Sequence, residues 1–228
     1  MFSDFYFRYV WGMVTNKFHG IGKLIVHICF SMFMLQSIQT QVISSSSVLQ
    51  NRLNLVNKFY VNFIQKVYFF DYEENIEIAR GELWVKRPNL FRWHFTDPEE
   101  FVLVSDGQTV WFYVPKLKQV VAYCLKNQIA GNIFLELLFS SNLFVYQNYI
   151  ILQKEDWFYL KSMHDNSLHI KECAIQINKD GVINQINVEE ENGQRVNYYL
   201  SNQCVNFIDK DKFNFFISKD MQLDDQRR

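Results

Sequence analysis

Proline and glycine are scarce in this chain, with only 3 and 8 among its 228 residues. No Pro-rich linker and no internal repeat divides it, so it reads as one β-rich domain behind a leader. A chain of this length builds a full core without staples. An excess of either charge is also missing. The 23 Lys and Arg face 24 Asp and Glu, for a net charge of −1, and the basic residues are scattered. A surface able to neutralise many phosphates is lacking, which excludes nucleic acid as the expected partner. The four cysteines, Cys29, Cys124, Cys173 and Cys204, form no CxxC pair. With Cys29 in the leader the remainder is odd, which argues against a disulfide framework. Small buried hydrophobes are the expected role, with a single Cys173–Cys204 or Cys124–Cys173 bridge left open for an oxidising compartment.

Long apolar runs are also missing. The stretch Leu24 to Leu35 (LIVHICFSMFML), preceded by Arg8, Lys17 and Lys23, falls short of the roughly 20 residues that span a bilayer. It suits the core of an export signal. Residues 1–40 are therefore read as a signal or leader segment and 41–228 as the folded domain. Ser37 and Gln39 or Thr40 are the cleavage candidates, without an A-x-A pattern, and a retained leader tethering the chain to the inner membrane is the competing reading. Catalytic signatures are absent in turn: HExxH, GxSxG, Walker and GxGxxG patterns do not occur. His164, His169 and Cys173 match no common zinc spacing. Glu189 to Glu191, and Asp97 with Glu99 and Glu100, read as solvated hairpin ends. No catalytic residue, cofactor or metal is expected, and the chain is not read as an enzyme.

What is abundant is apolar and aromatic: 49% hydrophobic, with 22 Phe, 12 Tyr and 5 Trp. Ser47 followed by Gln50 reads as a capping box. Leu49, Leu53, Val56 and Tyr60 follow at helical spacing, so a helix is predicted over about 46–58. From Phe59 the period changes and strands dominate. Glu82 to Arg87 alternates up to Pro88-Asn89, with Arg87 on the same face as Leu83 and Val85. Phe91, Trp93 and Phe95 then share one face, with Arg92 and His94 on the other. Asp106-Gly107, Asp180-Gly181 and Asn192-Gly193 supply hairpin turns. Further strands are predicted at Phe101 to Val104, Thr109 to Val114, Gln119 to Tyr123, Tyr149 to Gln153, Trp157 to Ser162, Glu172 to Asn178, Ile183 to Glu189 and Arg195 to Leu200. This is an antiparallel meander. Ile129 to Phe144 breaks the pattern and reads as one or two short helices. A curved sheet with one apolar face and a helical lid is the expected architecture.

The segment Gly81 to Tyr113, GELWVKRPNLFRWHFTDPEEFVLVSDGQTVWFY, resembles the bacterial outer-membrane lipoprotein carrier family, LolA. RLNLVNKFYVNFIQKV (Arg52 to Val67) is similar to that family's first helix and strand, and the closing Leu223-Asp224-Asp225-Gln226-Arg227-Arg228 to its ending. The resemblance covers roughly residues 45 to 228. It implies a mainly β fold, an incomplete antiparallel β-barrel (half-barrel) closed by a short α-helical lid. It implies a periplasmic monomer that receives triacylated lipoproteins from an inner-membrane lipoprotein-releasing ABC transporter and passes them to an outer-membrane LolB-like receptor, without a cofactor. Arg87 matches the family arginine that closes the lid by bonding helix carbonyls, a task suited to a planar fork of donors. Phe91 matches a position at the cavity mouth. Trp93 and Phe95 share its face, and Leu53, Leu137 and Leu138 are the lid residues expected to line the cavity with them. Family lids are Pro-led where this chain has Ile133-Phe134-Leu135-Glu136, so Glu136 is expected to face solvent or find a partner. The alternative reading is a lipid- or lipoprotein-sensing regulatory module on the same fold.

Overall fold

Strand β1 (Lys58–Phe69) carries aromatic and branched residues at alternate positions, and its first half buries Phe59, Val61 and Phe63. Such a segment fits a pleated, half-buried surface. It begins the domain of a computed structural model that describes residues 45–69, 72–129, 133–139, 149–163, 170–205 and 208–227, all within one compact unit, Ser45–Arg228. The leader expected over residues 1–40 lies outside the described residues, as do His164 and His169.

Eleven further strands follow among the described residues: β2 (Tyr72–Lys86), β3 (Leu90–Asp97), β4 (Phe101–Asp106), β5 (Thr109–Val114), β6 (Gln119–Cys124), β7 (Tyr149–Lys154), β8 (Trp157–Ser162), β9 (Ile170–Ile177), β10 (Ile183–Glu190), β11 (Arg195–Cys204) and β12 (Gln222–Gln226). All lie in one sheet, ordered β12-β6-β5-β4-β3-β2-β1-β11-β10-β9-β8-β7. Among the described residues the two edges, β7 and β12, do not pair with each other, so the barrel is incomplete. Helix α1 spans residues 45–54. Helices α2 (Leu125–Ile129) and α3 (Ile133–Phe139) fall between β6 and β7.

Side chains of one face gather into one apolar cluster. Phe91, Trp93 and Phe95 of β3 are buried there with Leu83 and Val85 of β2, Ile175 of β9 and Ile186 of β10, and α1 and α3 add Leu49, Leu53, Leu137 and Leu138. A flat sheet of this many strands would spread over roughly 50 Å, so one continuous core requires the sheet to curl around the helices. The Asp106-Gly107 hairpin forms as expected, with Asp106 Oδ1 accepting from the Gln108 and Thr109 amides at 2.9 and 2.8 Å.

Several expectations need correction. The first helix ends at residue 54, not 58, because the β1 ladder begins at Lys58 and pairs with Lys86. Ser47 lies inside that helix, and Gln50 donates from Nε2 to Asn54 Oδ1 at 2.7 Å while its Oε1 accepts no bond, so Gln50 does not close a capping box. Strand β2 starts at Tyr72 rather than Glu82, since its polar first half needs only the β1 ladder to stay extended. The sheet is not a pure antiparallel meander. β1 sits between β2 and β11, and β12, which no apolar alternation announces, runs parallel to β6. Cys124, Cys173 and Cys204 are free thiols, and neither bridge forms.

Gly81 fixes the close approach of β2 and β3. A Cβ there would lie 2.0 Å from the His94 carbonyl oxygen. Gly81→Ala is expected to cost about 2 kcal/mol or more, because the backbones must separate. Thermal denaturation checks this, and an unchanged midpoint would show that the approach relaxes freely.

Candidate functional site

Strand β2 buries Gly81, Leu83 and Val85 on one face, and Arg87, the first residue after it, continues that face, while Glu82, Trp84 and Lys86 are half-buried on the other. Arg87 is thus delivered to the apolar side at the point where the chain turns, and only 8% of it is exposed. A buried guanidinium must find acceptors. Its Nε donates to the Leu138 carbonyl at 2.9 Å and its Nη2 to the Leu137 carbonyl at 3.1 Å, both in the last turn of α3. Its Nη1 donates to the Leu53 carbonyl at the end of α1. The turn adds backbone ties: the Arg87 amide donates to Asn57 O at 2.7 Å and the Asn89 amide to Phe139 O at 3.0 Å. The final carbonyls of a helix have no partner within it and carry the negative end of its dipole. One cation therefore satisfies two helix ends at once.

Beneath this latch the sequence-predicted residues come together. Leu53, Phe91, Trp93, Phe95, Leu137 and Leu138 are all buried members of one cluster. The Phe91 ring stacks on Phe139 with centroids 4.0 Å apart, and Phe63 meets Phe95 edge-on at 4.9 Å. Leu138 packs against Phe63, Leu83, Trp93, Ile186, Tyr198 and Leu200 and leaves no space between them large enough for a water molecule. With α1 and α3 in place, Leu137 and Leu138 occupy space that the sheet's curved face would otherwise offer to something else.

Two half-buried groups qualify the sequence reading. Glu136 is neither free in solvent nor fully buried, and its charge acts on Tyr149 of β7. Burial first, then Glu136 and Cys173, push the Tyr149 hydroxyl up to about 12. Cys173 is buried on β9, and burial, then Glu172, push its thiol up to about 12. Tyr198 is also raised, chiefly by burial, with an opposing hydrogen bond from Gln65 at 3.1 Å.

Sequence reasoning missed two contributors. Phe139 lies within the segment assigned to short helices but was not singled out. Arg52 sits in α1 between Leu49 and Leu53, and its signal was a cation inside an apolar helical stripe. Among the described residues, no group of three or more His, Cys, Asp or Glu side chains could hold a metal ion.

The fold and site define a class: an unclosed, largely antiparallel barrel whose apolar hollow is filled by helices tied down by one arginine. The family model described as Outer membrane lipoprotein carrier protein LolA matches residues 54–216. The chain is 40% identical over 207 residues to the outer-membrane lipoprotein carrier protein of Yersinia pestis bv. Antiqua (strain Angola), covering 90% of this chain and 99% of that one. It is 40% identical over 183 residues to the protein of the same name from Sodalis glossinidius (strain morsitans), covering 80% and 89%. Among solved structures, an uncharacterized conserved protein from Thermus thermophilus shares the fold at 14% identity, with a TM-score of 0.51 over 80% of this chain and 99% of that one. The chain belongs to the outer-membrane lipoprotein carrier family, LolA, a family of carriers rather than enzymes.

The raised groups set a pH window. Tyr149 and Cys173 stay protonated in the folded chain up to about 12, whereas their ordinary values are 10.0 and 9.0. Between those limits the folded state holds more protons than the unfolded one, so stability is present in full below pH 9 and is lost as pH rises towards 12. The melting temperature is expected to fall across that range, and Tyr149→Phe with Cys173→Ala to flatten the fall. A slope unchanged by the double variant would assign the loss to other groups.

Proposed function

We propose that this chain is a periplasmic lipoprotein carrier. It accepts triacylated lipoproteins from an inner-membrane lipoprotein-releasing ABC transporter, holds their acyl chains against the curved face of the sheet, and delivers them to an outer-membrane LolB-like receptor. The observation that carries this reading is the Arg87 latch: three bonds from one guanidinium to the ends of α1 and α3, directly over an apolar hollow. Membership of the carrier family supports it from the sequence side.

In this reading the hollow is filled either by the lid or by cargo. Each buried leucine contributes about 1.5–3 kcal/mol. Each buried CH₂ contributes about 0.8 kcal/mol, so a long acyl chain is worth on the order of 10 kcal/mol. Leu137 and Leu138 together recover a substantial part of that when they return, which keeps loading reversible. Arg87 tunes the balance, because a hydrogen bond to a charged group is worth about 1.5–3 kcal/mol. A receptor then needs to supply only the remainder for cargo to leave. Arg87 is thus the lid-closing residue, and Leu53, Phe91, Trp93, Phe95, Leu137 and Leu138 are the residues cargo meets when the lid is displaced.

Native mass spectrometry of the protein incubated with inner-membrane vesicles containing the transporter tests the reading. A one-to-one complex with a triacylated lipoprotein that forms only with ATP is expected. Free lipid or an unrelated protein in its place would contradict the carrier role and favour a sensing module. Arg87→Leu weakens the closed empty state, so cargo is expected to bind more than tenfold more tightly and to pass to the receptor correspondingly more slowly. Uptake and release both matching wild type would remove Arg87 from the lid-closing role.

A further inference from the structure

The two helices that meet at Arg87 are fastened to the sheet differently. Arg52 of α1 is 8% exposed, and its Nη1 donates to Asp156 Oδ1 at 2.7 Å and to the Ile177 carbonyl at 2.6 Å. Its guanidinium lies 5.3 Å from the centre of the Phe158 ring. Asp156 is in the turn between β7 and β8, Phe158 is on β8, and Ile177 ends β9. These anchors lie on the opposite wing of the sheet from Arg87, across β1, β11 and β10 from β2.

The turn between β9 and β10 presses on the same helix end. Gly181 has a φ of +83°, and a Cβ there would stand 2.9 Å from the Arg52 carbonyl oxygen, 2.9 Å from Val56 Cγ2 and 3.1 Å from Leu55 Cβ. Only a glycine permits that approach without strain. The end of α1 is therefore clamped by β8, by β9 and by the β9–β10 turn, and the β1 strand follows it directly.

The last turn of α3 is held otherwise. Its Leu137 and Leu138 carbonyls accept from Arg87, its Phe139 carbonyl accepts from the Asn89 amide, and the Phe139 ring stacks on Phe91. Those hydrogen bonds and that ring stack all come from residues 87–91, the turn after β2 and the first residues of β3, whereas the Leu138 side chain also packs on Phe63, Leu83, Trp93, Ile186, Tyr198 and Leu200. A displacement of that turn relative to α3 loses all of them together and leaves the clamp on α1 intact.

We propose that α1 is the fixed side of the lid and α3 the side that leaves, with Arg52 the positioning residue that keeps the Leu53 carbonyl within reach of Arg87. Arg52 holds one rigid acceptor in place, so the Arg87 side chain stays preorganised on α1 while α3 departs and returns. Closing then requires α3 to find a donor fork already aimed at it, not two helices to meet by chance. Cargo would accordingly enter on the α3 side, over Leu137 and Leu138, while Leu49 and Leu53 stay in the wall. The purpose of this division rests on the carrier reading, but its test needs no cargo.

Hydrogen exchange read by mass spectrometry on the full chain separates the two helices. In Arg87→Leu, peptides covering 133–139 are expected to exchange about tenfold or more faster, while those covering 49–54 stay within about twofold of wild type. In Arg52→Gln both segments are expected to speed up, because α1 drifts and takes the Leu53 carbonyl from Arg87. Arg52→Lys, which keeps the charge pair with Asp156, is expected to restore protection in part, an ordering that a merely space-filling side chain would not give. Gly181→Ala reaches the same joint from the sheet side and is expected to speed exchange over 49–54 even if Arg52→Gln fails to fold. Peptides from β1 and β10 serve as the unchanged reference. Equal release of both helices in Arg87→Leu, or unchanged protection of 49–54 in both Arg52→Gln and Gly181→Ala, overturns the division. A chain that divides its lid in this way yet captures no lipoprotein would count against the carrier reading alone.

Discussion

Two short helices end over the same sheet, and each leaves backbone carbonyls that its own hydrogen bonds cannot reach. The hollow beneath them is apolar and offers those carbonyls nothing. Arg87 resolves the conflict, donating to Leu53 of α1 and to Leu137 and Leu138 of α3 from one planar group. The rest of the structure follows from getting that guanidinium to that place. β2 must alternate so that Gly81, Leu83, Val85 and Arg87 share a face. β3 must return with Phe91, Trp93 and Phe95 on the same side. The sheet must stay open, with β7 and β12 as unpaired edges, so that helices rather than further strands close it.

The latch and the hollow have to be weighed together. A permanently filled core would be more stable, and a permanently open one would expose aromatic surface to water. In the proposed carrier, latched helices keep the protein closed when empty and lose little when something of similar apolar area replaces their leucines. In the proposed carrier this balance lets acyl chains both enter and leave without a cofactor or bond chemistry. In the proposed division, the clamp at Arg52 holds α1 while α3, whose last-turn carbonyls bond only to the segment after β2, yields and the sheet remains intact.

Much of this was legible in the sequence where burial imposes a period. The 91–93–95 stripe, the Asp106-Gly107 hairpin and the apolar face ending in Arg87 are visible because one face must be apolar and the other need not be. The family resemblance of LWVKRPNLFRW then attached a role to Arg87. Less legible were elements whose conformation is set by partners. β12 is an exposed Gln-Leu-Asp-Asp-Gln strand with no alternation, held by pairing parallel to β6. The first half of β2 is polar and is extended by its ladder with β1. The end of α1 was misplaced because Val56 and Tyr60 continue a helical spacing that the β1 ladder overrides. Arg52 was passed over because a cation in a helical stripe looks like a surface residue until Asp156 and Ile177, more than a hundred positions away, are brought to it.

The central claim is that acyl chains occupy the curved apolar face beneath the latch. A photoreactive benzoylphenylalanine placed at Trp93, inside the hollow, and separately at Trp84, on the outer face of the neighbouring strand, tests it most directly. The labelled proteins would be charged with a triacylated lipoprotein by transporter-containing vesicles and ATP, then irradiated. Crosslinks to the acyl chains from position 93 and none from position 84 are the expected result. Crosslinks from position 84 alone, on a chain that still folds with either label, would place cargo on the outside of the sheet and contradict the account.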